Sequence, residues 1–455
     1  MLFQSRNPWT RELLAEFRSH APAEVSARLQ LSCLAGQKWR TESTEKRLQL
    51  LENLSAVFTR DREKLAFSMA EEMGKTLTEA YAEVDKSISL IKYLQANVPQ
   101  WLAEVRVSEN GRNATISKEA LGGILLVMPW NFPLWQVCRA ALPALCAGNV
   151  VLLKHAPNVF RFSGMLESMF LEAGFLPGVF QELRVDVPEL EGIVAHEAVS
   201  AVSLTGSEAA GKSLAVLAGK YLKKTVLELG GSDPFIVLED ADLFQSSKLA
   251  AASRMLNNGQ SCIAAKRFFV QESVQNQFLD LLIREISQYL PGNPCLPQTR
   301  MGPLARPDLA ENLRRQHLAS LKAGAEEMYA MKAAYPETAN VFLPVILKNV
   351  IPGMPAFDEE TFGPLVSVTS FRSNTEAISL ANQSKYGLGA SVHSSDLGLA
   401  REVAKGLHCG SVAINQLMRS DPVFPFGGVK ASGYGKELAR EGFEEFCFKK
   451  VIMQP

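Results

Sequence analysis

Cys262 stands at the end of Asn258–Gly259–Gln260–Ser261–Cys262, a run of small polar residues just before the apolar stretch Lys266–Arg267–Phe268–Phe269–Val270. A thiol presented by such a turn is carried by backbone, flanked by polar donors and open to a substrate, which suits a thiolate nucleophile. Three further segments supply what a cysteine attacking a carbonyl requires. Glu228 closes the apolar segment Thr225–Val226–Leu227–Glu228 and is followed by Leu229, Gly230 and Gly231. A carboxylate at a strand end, facing a cleft beside glycines that permit close approach, can act as a general base. Asn131 lies in Trp130–Asn131–Phe132–Pro133, directly after the apolar run Gly123–Met128, where its amide can donate to a developing oxyanion. Glu359–Glu360–Thr361–Phe362–Gly363–Pro364 joins two acids and an aromatic ring in a turn. Each segment also has an ordinary reading: a structural loop cysteine, a surface acid, a turn asparagine. Their order and combination point to chemistry at a carbonyl.

Together these segments resemble the WNFP, ELGG, GQxC and EE-x-FGP motifs of the aldehyde dehydrogenase superfamily. The closing loop from Pro425 through Phe426–Gly427–Gly428 to Glu437 extends the match, and the resemblance runs from about Leu121 to the C-terminus. It implies that Cys262 forms a thiohemiacetal with an aldehyde while Asn131 and the Cys262 backbone N–H hold the oxyanion. Hydride then leaves for a nicotinamide, and Glu228 activates the water that hydrolyses the resulting thioester. The presence of Glu228 favours a free carboxylate product over acyl transfer to coenzyme A. A protein of this fold that has lost catalysis would tolerate loss of Cys262, Glu228 or Asn131, and all three are present.

The chain has no GxGxxG fingerprint. Leu204–Thr205–Gly206–Ser207, followed by a helix over Ala209–Tyr221, instead offers a helix N-terminus to an anion. The resemblance makes Gly206 and Ser207 phosphate contacts, gives the riboses to Lys154 and Glu360, and sets Trp130 and Phe362 beside the nicotinamide. Relatives that prefer NAD carry an acid where Lys154–His155–Ala156–Pro157 has its proline. Without that carboxylate a 2′-phosphate meets no repulsion, and Lys154 with His155 can pair with it. NADP is therefore expected to serve at least as well as NAD, with no metal.

Arg139 follows Asn131 by eight residues, so Phe132, Trp135 and Arg139 share one face of a helix leaving the turn. This arginine resembles the one by which succinate-semialdehyde dehydrogenases hold the distal carboxylate of their substrate. A surface or interdomain salt bridge is the alternative. Arg419 and Ser420 form a second candidate pair, and Phe426 borders the same region. Leu256 stands six residues before Cys262, where some of these enzymes have a second arginine; Arg254 is near but out of register. Succinate semialdehyde leads as substrate, ahead of glutarate semialdehyde or a broader aldehyde range.

The elements that must position these groups follow from periodicity. With 455 residues, 47% hydrophobic, the chain is long enough for more than one domain. Its 47 basic and 48 acidic residues nearly cancel, so neither nucleic acid nor membrane is expected as a partner. No apolar run reaches the ~20 residues that span a bilayer. Seven cysteines without a paired framework suit a reducing cytoplasm. The N-terminal region reads as helices, with Leu48, Leu51, Leu54 and Phe58 on one face. Asp61 is placed to cap a next helix that carries Leu65, Met69 and Met73 and stops at Gly74. Strand signals at Ile124–Val127, Val150–Leu153, Val199–Leu204, Thr225–Leu229 and Phe235–Leu238 alternate with helices. A second set starts near Phe268 and continues through Val341–Leu347, Leu365–Phe371, Ala390–His393 and Ser411–Asn415.

The expected fold class is α/β: two doubly wound parallel-sheet domains of the aldehyde dehydrogenase fold plus a β-hairpin arm. Residues 1–103 and 119–230 are assigned to dinucleotide binding, 231–440 to catalysis, and 104–118 with 441–455 to the arm. Val105–Ile116 alternates about Asn110–Gly111, a two-residue hairpin signal. The resemblance pairs that hairpin with a C-terminal strand near Phe446–Ile452 and implies a homodimer or homotetramer.

Overall fold

The computed structural model describes all 455 residues. Two parallel sheets organise it. The first runs, in spatial order, Gly433–Tyr434, Lys224–Glu228, Ala201–Thr205, Gly123–Met128, Val150–His155 and Phe180–Glu182; only Gly433–Tyr434 is antiparallel. The Gly123–Met128 and Val150–His155 strands are almost wholly buried. Their unbroken apolar runs suit strands covered on both faces. The second sheet runs Glu326–Ala330, Val345–Lys348, Leu365–Phe371, Ala265–Gln271, Asp233–Val237, Gly389–His393 and Ser411–Ile414, with Glu326–Ala330 antiparallel. The strand around Phe235, named with the first set of strands but lying within residues 231–440, belongs to the second sheet. Val341–Leu347 becomes a strand only from Val345, because Pro344 lacks the N–H a ladder needs.

Three elements differ from or refine the sequence reading. The N-terminus opens with a hairpin, Leu2–Arg6 against Leu13–Arg18, that was expected to be helical. Its inward residues are Phe3, 5.0 Å edge-on to Phe160, and Ser5, which donates to Glu72 at 2.6 Å. The helix Arg62–Met73 begins after Asp61 and ends on Gly74 at φ 80°, but Asp61 caps nothing: its carboxylate is taken by Arg60. The hairpin Val105–Glu109/Arg112–Ala120 turns on Asn110 (φ 49°) and Gly111 (φ 75°), the positive φ pair of a type I′ turn. Cys447–Gln454 adds a third strand to it.

The helix Leu77–Leu102 matters most for the site. Glu83, on its inner face, accepts from the N–H groups of Leu134 and Trp135 at 2.9 Å each and pairs with Lys75. The helix Trp135–Cys146 has no side-chain cap of its own, so Glu83 supplies the acceptor its N-terminus lacks. The turn that carries Asn131 and Phe132 is thereby tied to the helix Leu77–Leu102.

Removing one partner of a buried ion pair typically costs ~3–5 kcal/mol, because the other charge is stranded. Glu83→Ala should therefore lower the thermal unfolding midpoint by at least ~5 °C. Glu83→Gln, which keeps an acceptor for the two N–H groups, should recover part of that loss. Differential scanning calorimetry checks both; an alanine variant melting with the parent protein contradicts the role.

Candidate active site

Two chambers meet at Cys262. One, of about 310 Å³, is lined by Phe132, Trp135, Arg139, Met418, Ser420 and Phe426 among others. The second, of about 220 Å³, is bordered by Trp130, Asn131, Gly206, Ser207, Glu360 and Phe362. Cys262 and Gln136 line both. The sulfur is thus reached from two sides, as an aldehyde and a hydride acceptor would require.

The loop that presents the sulfur is irregular backbone in the interior. Asn257 and Asn258 adopt positive φ (52° and 58°), a conformation asparagine tolerates best among non-glycine residues. Buried cations satisfy the loop's carbonyls. Arg254 donates to the carbonyls of Gly259 at 2.8 Å, Ala265 at 3.0 Å, Thr361 at 3.1 Å, and also Gly363. Lys266 donates to the Ser261 and Cys262 carbonyls at 2.9 and 2.8 Å. Arg254 is wholly buried and absent from both chambers, whereas Leu256 lines the larger one. Their register is as the sequence suggested, and Arg254 serves the loop.

Asn131 uses one amide hydrogen on the Gln260 carbonyl at 3.0 Å, and its oxygen accepts from Gln136 at 3.1 Å. The amide nitrogen carries a second hydrogen, and the Gln136 contact fixes which end of the amide is the donor. Glu228 ends its strand as expected but does not open onto a cleft. It lines neither chamber, and both carboxyl oxygens lack partners. An added Cβ on Gly427 would lie 2.6 Å from one of those oxygens, so only glycine admits the carboxyl there. Burial, and then the charge of Glu437, push the Glu228 carboxyl well above the usual carboxylate range.

The sulfur is likewise held in its neutral form. Burial pushes the Cys262 thiol up to about 11, with Arg139 and Lys266 opposing. The polar loop presents a thiol, then, and does not by itself generate a thiolate.

Arg139 lies where the helical spacing put it, on the wall of the larger chamber, but it is not a free fork. Its Nε pairs with Glu437, one terminal nitrogen reaches Thr205 at 3.4 Å, and the guanidinium sits 4.8 Å above the Phe426 ring. Glu437 is 1% exposed and could not stay ionised there alone, which is why it claims the arginine. The salt-bridge alternative is the one the structure holds. Arg419 is exposed at the chamber, while Ser420 is buried and accepts from both Trp135 Nε1 and Lys86 Nζ at 2.9 Å.

On the cofactor side, Ser207 caps the helix Glu208–Lys220 by accepting from Ala210, and Gly206 spends its N–H on the Glu228 carbonyl at 3.0 Å. Glu360 accepts from Gly231 N–H at 3.1 Å and faces Lys266 at 3.4 Å; an added Cβ on Gly230 would strike its other oxygen. Trp130 and Phe362 meet edge to face at 5.9 Å. Lys154 is the penultimate residue of its strand and buried, its ammonium lowered by burial with Asp186 opposing. His155 does not join it. The ring is fully buried, lowered to about 4 by burial, accepts from Ala156 N–H and donates to the Pro133 carbonyl at 3.0 Å. It is a neutral brace for the Asn131 turn and cannot pair with a phosphate.

Sequence reasoning missed Glu83, Lys86, Gln136 and Arg306, the last stacked 5.7 Å from Trp130. Glu437 was quoted only as the end of a motif. No group of three or more His, Cys, Asp or Glu side chains gathers as a metal site, and no helix is long and apolar enough to cross a membrane.

The family model described as the aldehyde dehydrogenase family matches residues 1–452. A probable NADP(+) succinate-semialdehyde dehydrogenase of Synechocystis is 41% identical over 452 residues, 99% of each chain. An NAD(P)+ succinate semialdehyde dehydrogenase of Escherichia coli is 39% identical over 444 residues, 97% of this chain and 96% of the other. Among solved structures, a Streptococcus pyogenes succinic semialdehyde dehydrogenase in complex with NADP+ superposes with a TM-score of 0.97 at 36% identity, covering 100% of both chains.

In the free protein, alkylation of Cys262 by iodoacetamide should climb about tenfold per pH unit between pH 7 and pH 9, because the thiolate fraction rises throughout that window. Mass spectrometry of the Cys262 peptide follows it. A plateau by pH 8 would show that the sulfur is already ionised.

Proposed function

This chain belongs to the aldehyde dehydrogenase family, and from that membership and its site we propose that it oxidises succinate semialdehyde to succinate with NADP or NAD. One observation carries the reading: a compact chamber with unpaired cationic groups on its wall opens onto the sulfur opposite a second, aromatic-walled chamber. A short aldehyde bearing a carboxylate fits the first.

The cofactor residues fit a phosphorylated dinucleotide. Lys154 makes no ion pair, Pro157 brings no acid, Ser207 opens a helix, and Trp130 and Phe362 wall the chamber edge to face. Lys154, Ser207 and Glu360 would hold the bound nucleotide, which supplies the hydride acceptor. Gly206 contributes backbone shape, its N–H being already spent.

The protein's own groups do the rest. The Cys262 thiol loses its proton to a base, and the sulfur adds to the aldehyde carbon. The second amide hydrogen of Asn131 meets the oxygen that becomes negative; losing one such donor costs ~10²–10³ in rate. Glu228 is a strong proton acceptor once ionised, because burial and Glu437 raise its affinity for a proton. A side-chain rotation away from Gly427 would bring it to the sulfur, and, once the proton taken there has passed to solvent and the thiohemiacetal has given up hydride to become a thioester, to the hydrolytic water. There it takes a proton from water, hydroxide adds to the thioester carbon, and the thiolate of Cys262 leaves.

The arm extends this reading. Its strands expose Val105, Val107, Phe448, Val451, Ile452 and Met453. An exposed apolar sheet of this kind suits a second copy of the chain, as a homodimer or homotetramer. The seven cysteines are all free thiols, which suits a reducing cytoplasm.

Cys262→Ala should abolish turnover. Glu228→Gln should turn over ~10²-fold or more slower, with the burst of reduced nicotinamide slowed as well, since thiol deprotonation and deacylation both lose their base. Stopped-flow fluorescence separates the two phases, and an unchanged steady-state rate contradicts the role of Glu228. Succinate should form without coenzyme A, and kcat/KM with NADP should equal or exceed that with NAD. Acyl-coenzyme A as the product, or a large NAD advantage, overturns the corresponding part.

A further inference from the structure

The charges that line the larger chamber are not equally available. Glu79 accepts from Asn257 N–H at 2.7 Å and from the Thr76 hydroxyl at 2.9 Å. Glu83 is paired with Lys75 and caps the helix Trp135–Cys146. Arg139 is paired with Glu437. That leaves Lys86 and Arg419, neither of which makes an ion pair, and Arg419 is exposed at the rim. Lys86 is thus the sheltered cation of the chamber that no acid pairs with; Glu79 also makes no ion pair, but its oxygens are taken by the Asn257 N–H and the Thr76 hydroxyl.

Lys86 is held in place without being neutralised. It projects from the helix Leu77–Leu102, its Nζ lies 4.1 Å above the Trp135 ring, and it donates one hydrogen to Ser420 Oγ at 2.9 Å. Ser420 Oγ also accepts from Trp135 Nε1 at 2.9 Å. Both lone pairs of that hydroxyl are thus occupied, and its own hydrogen is left to donate. Two hydrogens of the ammonium are likewise unspent. Three donor hydrogens, two of them on the charged ammonium, are left at a chamber walled by Phe132, Trp135 and Phe426.

We propose that Lys86 is the residue that selects carboxylate-bearing aldehydes, its ammonium pairing with the distal carboxylate while the Ser420 hydroxyl donates to the same group. This assignment rests on the proposed succinate semialdehyde activity and names the charge that recognises it. Arg139, whose charge is spent on Glu437, keeps the acid cluster neutralised instead. The site has a built-in pH signature. Burial, and then the charge of Arg139, lower Lys86 to about 7; Glu83 on its own helix and Asp421 oppose that shift, while Arg419 adds to it. The free enzyme therefore loses this ammonium as pH rises through neutrality, and kcat/KM reports free-enzyme ionisations.

The test compares kcat/KM for succinate semialdehyde and for butanal, which has the same carbon chain without the carboxylate. It uses the intact enzyme and the variants Lys86→Met and Lys86→Arg, from pH 6 to pH 9. The parent enzyme should prefer succinate semialdehyde, and the ratio should fall as pH rises. Lys86→Met should lose that preference by about a hundredfold, as expected for truncating a sheltered charge pair, with a far smaller change for butanal and the ratio flat with pH. Lys86→Arg should restore the preference and hold it across the range. Butanal turnover doubles as the check that each variant is folded. A parent enzyme that prefers succinate semialdehyde, with a methionine variant that still does, overturns the role of Lys86 alone. A parent enzyme indifferent to the carboxylate overturns the substrate reading and this inference together.

Discussion

A nucleophile on an irregular loop in a protein interior creates one problem that the rest of the structure must solve: the backbone around it has no ladder or helix to satisfy it. Buried carbonyls without donors are costly. Here the donors are cationic. Arg254 gathers four carbonyls from both sides of the cysteine loop and from the Thr361–Gly363 turn, and Lys266 takes those of Ser261 and Cys262. The loop that carries the sulfur and the turn that carries Glu360 and Phe362 are therefore fixed by the same guanidinium. The amides of Asn257 and Asn131 extend the network to the Trp130–Pro133 turn. The Cys262 loop, the Asn131 turn and the Thr361–Gly363 turn form one hydrogen-bonded unit, in which displacement of one part disturbs the others.

The same burial that makes this unit rigid sets its electrostatics. With little water to stabilise charge, burial raises the proton affinity of Cys262, Glu228 and Glu437 alike. Arg139 offsets part of this by pairing with Glu437, and its field reaches Cys262 and Glu228 as well. A resting site of this kind keeps the sulfur as a thiol, protected from oxidation, which acts on thiolates. Activation then depends on moving a proton within the site. Glu228 is suited to that task, because a carboxylate with raised proton affinity is a better base than an exposed one.

Much of this was legible from short segments. Cys262, Asn131, Glu360 and Phe362 each sit beside turn residues whose type reveals the local backbone, and the strands around them carry long apolar runs. What the sequence hid were partners chosen across the fold. Nothing near Arg139 announces that Glu437, almost three hundred residues away, will claim it. His155 beside Lys154 reads as a second cation until burial strips its charge. Asp61 fits a cap until the adjacent Arg60 takes it. Lys86 lies on a long helix whose charged residues otherwise read as a solvated face. The N-terminal hairpin was lost for a related reason: Phe3 and Ser5 alternate inward, but five residues are too short a window against the helical pattern that follows.

The division of labour between Arg139 and Lys86 follows from their neighbours. An arginine is always charged and brings a fork that suits a carboxylate. A buried glutamate beside Glu228 has a standing need for that fork, present whether or not substrate is bound. A transient ligand competes poorly with such a resident carboxylate, because displacing the resident would strand its charge. Lysine over the Trp135 face has no resident acid to satisfy. The aromatic face and the Ser420 hydroxyl hold its ammonium in position while leaving most of its hydrogen-bonding capacity open. Of the two, Lys86 is therefore the cation the fold leaves without an acid.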